Sequence, residues 1–220
     1  KLRNIINSLL VLTSLGISGT ASLAVAAENE FIDLFAGGDL KEHFETSGNW
    51  NLSKDGVAHL QPRAGEVDWK RYGDYLWLKQ PYQDFECEFE YKHEKKGNSG
   101  FYFNVTDRQN AVGSVIEIQI RDSAKVKELS AHAICGGILP GITPTANAAK
   151  PAGEWNRMNV KSVNGVVTVT LNGVQVNQAK LTHQRLKSKP KQGYIGFQIT
   201  EYRSGCEMSE FENGRRTHNT

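Results

Sequence analysis

Alternation with a period of two, and not helical periodicity, organises the chain after residue 30. "FECEFEYKHE" (85–94) sets Phe85, Cys87, Phe89 and Tyr91 against Glu86, Glu88, Glu90 and Lys92. That pattern predicts a half-buried strand with a charged outer face. "GFYFNV" (100–105) follows the turn "KKGNS" and predicts a second strand. "SVIEIQI" predicts a third, with Ile116, Ile118 and Ile120 toward the core. "RMNVKSV" (157–163) and "GVVTVTLNGVQVNQ" (165–178) read as a meander. Asn172-Gly173 inside it is a strong hairpin signal, because a type I′ turn needs positive φ at both central residues. "GYIGFQI" (193–199) predicts another strand. Many short antiparallel strands in one domain define an all-β architecture of two packed sheets, a sandwich or jelly roll. The connection 123–153, rich in Gly and Pro, is long for a compact domain and is expected to be functional or partly disordered.

The first 27 residues break this pattern. Lys1 and Arg3 precede a long apolar stretch that ends in small residues at Ala26 and Ala27. A basic start, an apolar middle and a small-residue end predict a cleavable secretory signal over 1–27. Gly16, Ser18, Gly19, Thr20 and Ser22 interrupt the apolar run and weigh against a spanning helix. The expected organisation is therefore a signal peptide (1–27), a jelly-roll domain (28–212) and a frayed tail (213–220). Export to the periplasm or the medium follows, with no membrane attachment after cleavage.

Composition narrows the partners. The chain has 220 residues and a formal net charge of +2. Removing residues 1–27 takes away two basic residues and no acid, leaving 24 basic against 24 acidic. A neutral domain of this kind does not fit a nucleic-acid-binding protein. Three cysteines, Cys87, Cys135 and Cys206, allow one disulfide after export and leave one thiol over. Their spacing is not that of a zinc site. The sequence does not define an oligomeric state.

The chemistry concentrates on "GSVIEIQIRDS" (113–123). Glu117, Gln119 and Arg121 share one strand face, and Asp122 falls on the other. A β-bulge near Arg121 would return Asp122 to the Glu117 face. E-x-Q-x-x-D then has the spacing of the E-x-D-x-x-E strand of laminarinase-type glucanases. An amide replaces the middle acid here, and a shorter Asp the last. Retaining hydrolysis needs carboxyls about 5–5.5 Å apart, which a shortened side chain makes harder to reach. The bland reading of the same row is a solvated strand face.

Seven segments in order, "FIDLFAGGDL", "YLWLKQPYQDFECEFEY", "GNSGFYF", "IEIQIRD", "KPAGEWN", "VTLNGVQV" and "GYIGFQ", resemble the 3-keto-disaccharide hydrolase domain family over about residues 30–212. The resemblance implies a concanavalin-like β-sandwich and a carbohydrate substrate, an oxidised disaccharide or glycoside. It implies cleavage of a 3-keto-glycoside: the C3 carbonyl acidifies the C2 proton, a base removes it, and the C1 substituent departs. That chemistry asks for one base and one oxyanion stabiliser. Glu117 is the expected base and Arg121 the stabiliser. Asp122 and His132 are further acid–base candidates, and Gln119, Asn98 and Trp77 are expected sugar contacts. No cofactor is required, although Glu117 and Asp122 together could hold a divalent ion. "EVDWKRYGDY" (66–75) reads as a groove wall or an anchored loop. The chain has Phe101-Tyr102-Phe103-Asn104 where family members often carry an Arg after "NSG". It has Cys135 where a Tyr is usual. These departures keep a non-catalytic sugar-binding module as the alternative, with a β-glucan hydrolase behind it.

Overall fold

A computed structural model describes residues 31–198 apart from 36, 62 and 65–74, together with the backbone of 201–212 and 215–216. The expected signal 1–27, nearly all of "EVDWKRYGDY" and the Cys206 side chain lie outside the described residues. So does the expected tail, apart from Arg215–Arg216.

The N-terminal strands are short: β1 (Ile32–Asp33), β2 (Phe44–Glu45), β3 (Trp50–Leu52) and β4 (Val57–Leu60). Longer ones follow as β5 (Leu76–Tyr82), β6 (Asp84–Lys92), β7 (Asn98–Val105) and β8 (Ile116–Arg121), with one helical turn, α1 (Ala111–Ser114), before β8. Then come β9 (Ile138–Leu139), β10 (Asn156–Val163), β11 (Val166–Leu171), β12 (Val174–Lys180) and β13 (Gly193–Phe197). The last are β14 (Glu201–Glu212) and β15 (Arg215–Arg216). Among the described residues they form two antiparallel sheets. One runs β12-β11-β10-β6-β14-β4-β3, with β1 and β15 paired to β14. The other runs β2-β5-β13-β7-β8-β9. This is the expected all-β jelly roll. Within the expected tail, Arg215 and Arg216 pair with Glu212 and Phe211.

The alternation read from the sequence sets the layers. Phe85, Cys87, Phe89 and Tyr91 turn inward from β6 and are fully buried. They meet Phe101 and Phe103 of β7, Ile116, Ile118 and Ile120 of β8, and Phe197 of β13 in one continuous core. Phe89 stacks on Phe101 with ring centroids 5.4 Å apart, and Phe85 meets Phe103 edge-on at 5.5 Å. Such pairs add about 0.5–1.5 kcal/mol each beyond the area they bury. Asn172 and Gly173 take φ of 51° and 83°, the positive pair that the β11–β12 hairpin requires.

The β7–β8 ladder positions the chemistry. It pairs Asn98 with Arg121, Gly100 with Gln119 and Tyr102 with Glu117, without a shift in register. The bulge that would carry Asp122 across is therefore not formed in this ladder. The 123–153 connection is built, not loose. Its Gly136 N–H donates to Gln119 O and Gln119 N–H donates to Gly137 O, both at 2.9 Å, so the connection continues the sheet at its β8 edge. The Asn177 amide donates to Gly136 O and Ile142 O from the other sheet. Cys87 and Cys135 are buried free thiols, so no disulfide joins them.

Candidate active site

Gly100, Tyr102, Glu117, Gln119 and Arg121 stand on the outer face of the six-stranded sheet, because their neighbours Phe101, Ile116, Ile118 and Ile120 fill the core. A cleft of about 400 Å³ opens over this face. Its floor is Tyr102, Glu117, Gln119 and Gln198, and its rim includes His132, Leu139 and Pro140 from the long connection. Arg121 and Lys189 bring positive charge to it, and Glu117 is the only carboxylate among its lining residues.

Glu117 is half-buried beside Tyr102. Burial pushes its carboxyl up to about 7, and a hydrogen bond from the Tyr102 hydroxyl pulls against that shift by stabilising the anion. Burial also pushes the Tyr102 hydroxyl well up, reinforced by the Glu117 charge and by Tyr75. The room for this pair comes from Gly100. A Cβ there would sit 2.8 Å from both Glu117 Cγ and Tyr102 Cε1, tighter than side-chain carbons pack. Glycine at 100 is thus a requirement of close approach, not of backbone conformation.

Behind Tyr102 lies a compact aromatic cluster. Tyr75 sits between Trp77 and Tyr102, with ring centroids 5.0 Å from each. Trp77 covers Gly196 of β13 and is 6% exposed. It flanks the floor on the same outer face and does not line the cleft, where the sequence reading has it as a sugar contact.

Gln119 is buried, and its amide hydrogens are committed within the protein. Its Nε2 donates to Asn98 Oδ1 and to the His132 carbonyl, both at 3.0 Å. Those two bonds use both amide hydrogens, leaving Oε1 as the group that can meet a sugar hydroxyl. Arg121 Nη1 also donates to the His132 carbonyl, at 3.2 Å. The backbone of His132 is therefore clamped to β8, while its ring is exposed at the rim. Asn98 lines the cleft and is exposed.

Asp122 goes elsewhere. Its carboxylate accepts from the Lys96 N–H at 3.0 Å, and its own N–H donates to Gly97 O at 3.0 Å. It caps the β6–β7 turn and is absent from the cleft lining. The expected Glu117–Asp122 pair, as two catalytic acids or as two ligands of one divalent ion, is not assembled. No cluster of three or more His, Cys, Asp or Glu suited to a metal ion occurs among the described residues.

Three polar lining residues are not among the sequence-based candidates. Tyr102 was legible in principle, since it stands out of phase with Phe101 and Phe103 and so must face outward with Glu117. Lys189, whose Nζ donates to Gly113 O at 3.2 Å, and Gln198 come from distant segments with no local signal.

A two-sheet jelly roll with a cleft around one half-buried carboxyl on an outer face is the class of protein that these features define. The chain belongs to the family of 3-keto-alpha-glucoside-1,2-lyase-like domains, whose model matches residues 30–213. The fold is similar to that of a provisionally named glycosyl hydrolase from Parabacteroides distasonis, with a TM-score of 0.70 at 21% identity. That match covers 83% of this chain and all of the other. A second provisionally named glycosyl hydrolase from the same organism gives a TM-score of 0.68 at 20% identity, covering 83% and 94%. A Bacillus subtilis protein of galectin-like fold gives 0.50 at 12%, covering 86% and 100%. No curated protein matches the chain.

Proposed function

We propose that this domain acts on carbohydrate and cleaves the glycosidic bond of a 3-keto-glycoside by proton abstraction at C2. The observation that carries the reading is Glu117: a single half-buried carboxyl in a cleft, with its pKa raised to about 7. That value suits a general base at neutral pH, and a surface used only to hold sugar has no need of it.

The steps balance as follows. The Glu117 carboxylate takes the C2 proton, and the C–H electron pair forms the C2–C3 enolate with its charge on the C3 oxygen. The C3 carbonyl then re-forms while the C1–C2 double bond closes, and the C1–O1 bond breaks with its electron pair on O1. O1 takes a proton and leaves as the alcohol. The sugar product is a 1,2-unsaturated 3-ketone, to which water can add in a later step. Arg121 and Lys189 supply positive charge to the cleft and suit the enolate oxygen. Gln119 and Asn98 support the reading as a polar floor for sugar hydroxyls.

The family resemblance also supports the substrate class. The basic-then-apolar stretch ending at Ala27 supports action outside the cytoplasm. Among the described residues no helix is long and apolar enough to cross a membrane.

Comparison of a 3-keto-glucoside with its unoxidised parent tests the reading. Release of the aglycone from the ketone alone is the expected result. Equal release from both would remove the C2 proton from the mechanism. Binding of both without release would make the domain a sugar-binding module.

A further inference from the structure

The departing O1 needs a proton, and the cleft contains a group set to give one. We propose that Tyr102 is a catalytic residue that protonates the departing glycosidic oxygen, working as a pair with Glu117. The inference rests on the reading of Glu117 as the base and adds the acid half of the reaction.

Geometry carries it. Tyr102 and Glu117 are direct cross-strand partners on the outer face of the sheet, and both line the cleft. The Tyr102 hydroxyl lies beside the Glu117 carboxyl and stabilises its anion in the resting site. Gly100 leaves the space that lets the two side chains lie together. Tyr75, itself packed on Trp77, holds the Tyr102 ring, so its hydroxyl is fixed at the floor. The exposed His132 ring has no such support.

The proton inventory closes within the pair. Glu117 takes the C2 proton and becomes neutral. Its anion no longer needs stabilising, and the negative charge that adds to burial in opposing ionisation of Tyr102 is gone. Tyr102 gives its proton to O1 as the C1–O1 bond breaks. The phenolate then takes back the proton that Glu117 carries, which restores the resting state with no outside donor. C1 and C2 are adjacent atoms, so one cross-strand pair can serve both.

The experiment compares wild type and Tyr102→Phe on two 3-keto-glucosides. One is 4-nitrophenyl, whose leaving group departs without a proton, and one is methyl, whose leaving group needs one. Turnover is read at pH 9, where Glu117 is ionised in both proteins. The charged or titratable groups facing the pair are Tyr75 just before β5, Arg121 from β8, His132 from the long connection and Lys189 before β13. Tyr102→Phe is expected to lose roughly 10²–10³-fold on the methyl substrate and less than about tenfold on the nitrophenyl one. His132→Ala should lose no more on the methyl substrate than on the nitrophenyl one. Equal loss on both substrates by a folded Tyr102→Phe protein would overturn the assignment, reducing Tyr102 to a positioning residue. A large methyl-selective loss in His132→Ala would move the acid role to His132. If wild type cleaves neither substrate, it is the reading of the domain as an enzyme that fails, a result distinct from either of these.

Discussion

Tyr102 and Glu117 face each other across the β7–β8 ladder, and the tyrosine hydroxyl stabilises a carboxylate that burial has already made reluctant to ionise. The two effects oppose each other. Burial is the larger, so the acid rests near neutrality, where it can both accept and return a proton.

Burial of Glu117 also sets a stability signature. Its folded-state pKa lies above its ordinary value of 4.5, at about 7. The contribution of the neutral acid is then fully present below about pH 4.5 and is lost as the pH rises through 7. Gln at this position cannot ionise. Glu117→Gln should match wild type near pH 4 and exceed it by about 2–3 kcal/mol above pH 8. Urea denaturation at the two pH values checks this. A constant difference would mean that Glu117 titrates as an ordinary surface acid.

Gly100 is the packing requirement of the pair. Gly100→Ala pushes a methyl against Glu117 and Tyr102. It should cost about 1–3 kcal/mol in stability, as overpacking does, and lower kcat with little change in KM. Thermal unfolding and steady-state kinetics provide the two readouts.

Gln119 clamps the long connection to the sheet through two donated hydrogen bonds. Gln119→Glu puts a carboxylate oxygen against two acceptors, Asn98 Oδ1 and the His132 carbonyl. A loss of about 1–3 kcal/mol is expected from the buried mismatch, with faster hydrogen exchange over 130–137. Unchanged exchange there would show that the clamp is dispensable.

Much of this was legible in the alternation of side chains. The isoleucines of 116–120 face the core, Glu117 and Gln119 face the cleft, and Asn172-Gly173 turns the meander. What was not legible depends on contacts between distant segments. Nothing local shows that Gln119 spends its N–H groups on a loop carbonyl, or that Lys189 reaches the cleft. Asp122 was misjudged because the sequence cannot reveal whether a strand bulges. Here the register runs straight to Arg121, and the next carboxylate caps a turn. Trp77 was misjudged because an aromatic on the outer face can flank a floor as well as line it.

The account turns on Glu117 as the base. Its most direct test is release of the alcohol from a 3-keto-glucoside at pH 8 by wild type and by Glu117→Gln. Wild type should release it together with an unsaturated keto sugar, and the variant should be slower by roughly 10²–10⁴-fold. Equal turnover by the two proteins would contradict the account.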